Sequence, residues 1–88
     1  MRATRTTQEK LQNLLKSQGY QIRYEKGNFK GGYCVVLDQK VIVINKFFPL
    51  ESKIATLSEI IRDIELDETL LDEPQVKLAQ KLKKEVTE

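Results

Sequence analysis

The sequence predicts an α+β domain in the order α-β-β-β-α-α, with a three-stranded antiparallel meander packed against one amphipathic helix. Three observations predict it. Leu50, Ile54, Leu57, Ile61 and Ile64 recur at steps of four, three, four and three, the spacing of a helix with one apolar face. The stretch YQIRYE alternates Tyr20, Ile22 and Tyr24 with Gln21, Arg23 and Glu25, the period of a strand with one buried face. Tyr33 to Leu37 and Val41 to Ile44 are two β-branched-rich runs joined through Asp38-Gln39, which reads as a tight hairpin.

Each element has local reasons to form. Thr6 followed by Glu9 fits a capping box, Leu11, Leu14, Leu15 and Gln18 share one face, and Gly19 ends the first helix. The polar alternate residues of YQIRYE put that strand at a sheet edge, and KGNFKGG supplies the turn after it. The next two strands are apolar on successive residues, so part of the second sheet face is expected to be covered, by a helix or by another subunit. Pro49 then punctuates the chain, and the strong helix runs from Leu50 to about Leu66. Asp72 or Glu73, with Pro74 at the first helical position, opens a last helix carrying Val76, Ala79, Leu82 and Val86. No repeat or linker divides residues 1–88, so a single domain is expected. A chain of this size buries roughly 60–65% of its extended surface on folding, and a homodimer would add burial to a thin core.

Composition excludes several function classes. There is no histidine, and Cys34 is the only cysteine. Histidine-based catalysis, an intramolecular disulfide and a multi-thiolate metal site are therefore ruled out, and a reducing, cytoplasmic setting is expected. The longest apolar run is YCVVL, so no membrane association and no cofactor are expected. Net charge is +2 but uneven: residues 1 to 30 hold seven Lys/Arg against two Glu, and residues 50 to 88 hold six against ten acids. Acids from Glu65 to Glu73 followed by Lys77, Lys81, Lys83 and Lys84 suit the dipole of the last helix without any partner.

Few residues carry chemistry. Gly27, Gly31 and Gly32 lie between strands and lack the following helix that a phosphate loop needs, so they read as turn and bulge glycines. Cys34 sits among apolar strand neighbours with no activating histidine, which is the setting of a small hydrophobe. Tyr20, Tyr24, Phe29 and Tyr33 beside Arg23, Lys26 and Lys30 have the residue mixture of single-strand nucleic-acid platforms. At alternating strand positions the rings serve equally as core, and +2 provides little field, so nucleic acid is not the expected partner.

Taken together, a helix, GYQIRYE, a glycine-containing hairpin, KVIVIN, a proline loop and ATLSEIIRDI resemble the ImmA/IrrE family of small zinc metallopeptidase domains over roughly residues 8 to 66. That resemblance implies a helix on which two histidines one turn apart bind zinc while an intervening glutamate polarises water. Aligning Thr56-Leu57 with the family's "TL" puts Glu59 and Asp63 at the histidine positions and Ile60 at the glutamate. A shift of one residue keeps Glu59 as the glutamate and puts Ser58 and Arg62 at the ligand positions. Neither register supplies a zinc site, because Arg62 repels a cation, Ile60 cannot activate water and two carboxylates fall short of three or four donors. Ser58, Glu59, Arg62 and Asp63 then read as the solvated face of the helix.

No catalytic, cofactor-binding or metal residue is assigned. The expected function is a non-catalytic interaction module, not an enzyme, that binds a protein partner or a second copy through the apolar sheet and the Phe47-Phe48-Pro49 segment, whose aromatic pair fits core at a strand-to-helix corner equally well. Two alternatives stand beside it: a residual metal-dependent hydrolase using Glu59 and Asp63, and a weak nucleic-acid-binding module using the basic N-terminal half.

Overall fold

The computed structural model describes residues 3–26, 33–36 and 38–84. They form α1 (Arg5–Ser17), β1 (Gln21–Glu25), β2 (Tyr33–Val36), β3 (Val41–Asn45), α2 (Leu50–Asp63), a short 3-10 turn (Glu68–Leu70) and α3 (Glu73–Lys84), so the chain is α+β in the expected order.

The sheet is mixed, which corrects the antiparallel meander. Its order is β1-β3-β2, with β3 parallel to β1 and antiparallel to β2. A meander would have put β2 in the centre. The central place goes instead to β3, whose Val41 to Ile44 are apolar on both faces, while β1 has polar residues on one face and is an edge, as expected. The Gln21 N–H donates to the Lys40 carbonyl at 2.8 Å and the Lys46 N–H to the Glu25 carbonyl at 3.1 Å, so the parallel pair is tied at both ends.

Four local expectations also shift. The N-cap of α1 is Thr4 rather than Thr6, for Thr4 Oγ1 accepts from the Thr7 N–H at 3.1 Å, and starting earlier lengthens the helix. The hairpin is longer than Asp38-Gln39: Val36 pairs with Val41, and Lys40 adopts φ 53. This left-handed turn lets Lys40 Nζ donate to the Gln18 carbonyl at 3.1 Å and lie 5.8 Å from the centre of the Tyr20 ring. Helix α2 ends at Asp63 rather than near Leu66, because Ile64 turns extended and Lys83 Nζ reaches the carbonyls of Arg62 and Ile64 at 3.4 and 3.2 Å. Pro74 takes the second position of α3, because Asp72 is the cap. Asp72 Oδ1 accepts from the Gln75 N–H at 2.9 Å, and Gln75 Oε1 accepts from the Asp72 N–H at 3.1 Å. Val86 lies outside the described residues.

Gly19 ends α1 as expected, at φ 88. The Gly19 N–H donates to the Lys16 carbonyl and the Tyr20 N–H to the Leu15 carbonyl, the paired bonds of a Schellman motif. One core results. Leu11, Leu14 and Leu15 of α1, Ile54, Leu57, Ile60 and Ile61 of α2, and Ala79 and Leu82 of α3 bury Ile42 and Ile44 on the inner face of the sheet, with Ile22, Tyr24 and Val35 packed at the margin. On the outer face Val41 and Val43 are half-buried and Cys34 and Val36 exposed. Among the described residues no helix covers that face, and they do not supply the expected second cover.

Candidate functional site

The face of α2 on which a zincin-like helix would carry its ligands divides between core and solvent. At 100° per residue, Ile54, Leu57 and Ile61 centre the buried arc, and Ile60, Thr56 and Ser58 extend it on both sides. Ser58 is only 8% exposed, which corrects its assignment to the solvated face. Glu59 and Asp63 are exposed, and Arg62 is half-buried. In the first register Ile60, at the glutamate position, is a core residue. In the second, the two ligand positions hold a buried hydroxyl and a guanidinium. Among the described residues no three of His, Cys, Asp and Glu converge as metal donors. The pair Glu59 and Asp63 thus presents two acids to solvent and no third donor.

The aromatic and basic residues of the β1 region separate as well. Tyr20 and Tyr24 lie against the core, whereas Arg23 is exposed on the opposite face of β1 and pairs with Glu25 at 3.5 Å. Rings and cations that face opposite ways do not form one stacking platform. Gly27, Phe29, Lys30, Gly31 and Gly32 lie outside the described residues, as does the Tyr33 side chain.

Two features were not anticipated from the residue pattern. In the first, Gln8 Nε2 donates to the Tyr24 hydroxyl at 2.9 Å and that hydroxyl donates to Gln12 Oε1. Lys53 Nζ lies 5.2 Å from the centre of the same ring. Burial of Tyr24 pushes its pKa above the ordinary 10.0, against a smaller opposing effect of the Gln8 bond. Over this network runs an open groove of about 480 Å³ lined by Arg5, Gln8, Glu9, Gln12, Leu50 and Lys53. Gln8 and Gln12 stand one helical turn apart, the only hint in the sequence that α1 has a polar stripe beside its leucines.

The second feature is Gln18, which is only 6% exposed. Its side-chain amide accepts from the Asp67 N–H at 2.6 Å and donates to the Asp67 carbonyl at 3.1 Å, like one rung of a sheet. The Asp67 carboxylate is free of this clamp and accepts from the hydroxyl and N–H of Thr69, which hold its pKa below 3.8, the hydroxyl contributing most.

The remaining exposed apolar groups lie along the sheet and at its corner. Cys34 and Val36 of β2 stand opposite Val43 and Val41 of β3, so the four share the outer face. Beyond β3, the Phe47 N–H donates to Asn45 Oδ1 at 2.9 Å, and Lys46 Nζ lies 5.2 Å from the centre of the Phe47 ring. Phe47 is 67% exposed, whereas Phe48 packs against the core. The aromatic pair thus splits between solvent and interior. No helix of the described residues is long and apolar enough to cross a membrane. The chain matches no protein-family model, no curated protein and no solved structure, so its geometry alone speaks for its function.

Proposed function

We propose that the chain is a non-catalytic interaction module whose docking surface is the outer face of the sheet, extended by Phe47. The carrying observation is that Cys34, Val36, Val41 and Val43 form a continuous apolar strip that nothing in the described residues covers. Docked partners gain most from apolar groups held rigidly at the centre of a contact, and a hydrogen-bonded sheet holds them so. The relation to zincin-like domains is part of this reading: the helix-sheet-helix order supports it, and Glu59 and Asp63 of α2 face solvent without a third donor among the described residues, which favours a module without metal chemistry over a residual hydrolase.

A photo-reactive residue placed at position 43, 47 or 59 in otherwise unaltered chains tests the surface. Adducts with a protein partner are expected from 43 and 47 and not from Glu59 on the outer side of α2. Equal yields from all three positions, or none from 43, would sink the proposal.

A further inference from the structure

We propose that β2 is a pairing edge for a second copy of this chain, the two β2 strands running antiparallel about a two-fold axis and joining two three-stranded sheets into one of six strands. This rests on the reading of the chain as an interaction module and gives a partner to its sheet edge, beside the outer face. Among the described residues both edges of the sheet have a free row of backbone groups, because β1 and β2 each pair only with β3. An unpaired edge is a template for another strand, and proteins block it with charges, proline or bulges. The two edges differ in this respect. The outer residues of β1 are Gln21, Arg23 and Glu25, all exposed, with Arg23 and Glu25 ion-paired along the strand. The strand β2 reads Tyr33-Cys34-Val35-Val36, with no charge, proline or glycine.

Symmetry and charge make a second copy the fitting occupant. A row of alternating donors and acceptors satisfies itself when turned through a two-fold axis, and residue i meets j as j meets i. A strand without charge brings no like-charge repulsion to that axis, which a chain of net charge +2 would otherwise feel on self-association. The alternation of side chains further limits the pairing. Residues directly opposite in an antiparallel pair face the same side, and a two-fold axis perpendicular to the sheet keeps both helical layers on one side. Outward Cys34 must therefore meet the partner's Cys34 or the partner's Val36. The second register sets both exposed groups of β2, Cys34 and Val36, against apolar groups of the other copy. A four-residue strand is short for an interface, which places the dimer in the weak, concentration-dependent class.

The test uses the full chain. Sedimentation from micromolar to millimolar concentration is expected to show the mass rising from 10.2 kDa toward twice that value. Amide exchange on the outward-facing N–H groups of β2 is expected to slow over the same range. Val36→Lys, checked for its fold by circular dichroism, is expected to weaken association about tenfold or more, as an edge charge does. A chain that stays at 10.2 kDa overturns the proposal. So does a dimer whose β2 amides exchange as fast as in the dilute chain, the mark of two outer faces stacked without edge pairing. The exchange measurement needs no variant, so it decides even if Val36→Lys fails to fold. If association is absent while position 43 still cross-links another protein, only the second copy is refuted; if both are absent, the docking surface falls too.

Discussion

Replacing Gln18 by methionine probes the closest coupling between distant parts of the fold. Methionine keeps the length and apolar volume of the side chain and removes its amide, so the bonds to the Asp67 N–H and carbonyl, at 2.6 and 3.1 Å, are lost together. Each such bond contributes about 0.5–1.5 kcal/mol net, and a partner left without one costs more where water cannot reach it. Asp67 is itself exposed, so its backbone groups regain water in part, and the expected loss is about 2 kcal/mol. For a domain of this size that corresponds to a fall in Tm of about 10 °C, since each kcal/mol shifts it by about 4–8 °C. Urea unfolding followed by circular dichroism measures the first quantity and a thermal scan the second. Gln18→Ala is expected to cost more, because it also opens space beside buried Leu14 and Leu15. A Gln18→Met chain within about 0.5 kcal/mol of the parent would refute the reasoning, for it would mean that the clamp adds nothing over hydration.

Two further perturbations test the network and the turn. Tyr24 has its pKa raised by burial, so its neutral form stabilises the fold fully below the unfolded value of about 10, and that contribution is lost as pH rises through the higher folded value. The parent is therefore expected to lose stability above pH 10 faster than Tyr24→Phe, and parallel urea midpoints of the two chains between pH 9 and 11 would refute the assignment. Gly19→Ala forces a side chain into φ 88 and sets its Cβ 3.4 Å from Lys40 Cδ, so a loss of about 1 kcal/mol is expected in urea unfolding, and a neutral or stabilising result would count against strain at this turn.

Local pattern made the elements legible and left their arrangement open. Helix α2 was readable because its apolar steps repeat over four turns, and the edge position of β1 because its polar residues alternate. Which strand lies in the centre depends on pairings twenty residues apart, Gln21 with Val41 through Glu25 with Asn45, and no short-range spacing encodes whether such a pair runs parallel. The burial of Ser58 was hidden for a related reason. A hydroxyl at the rim of an apolar arc looks solvated until α1 and α3 are known to pack against the same helix. Gln18 was seen on the apolar face of α1, but its partner is a backbone segment 49 residues away. The split of Phe47 from Phe48 follows from the turn after β3 and not from the identity of the residues.

The sequence of β3 has a property that its neighbours must answer for. Val41-Ile42-Val43-Ile44 is nearly degenerate: sliding it by one residue would exchange valines for isoleucines in the core and alter the buried apolar area little. Hydrophobicity by itself therefore does not choose between the two alignments. The choice is made at the ends, where Lys40 is fixed in a left-handed turn, the Gln21 N–H takes the Lys40 carbonyl, the Lys46 N–H takes the Glu25 carbonyl and Asn45 binds the Phe47 N–H outside the core. The strand at the centre of this fold is positioned less by what it buries than by the polar stops on either side of it.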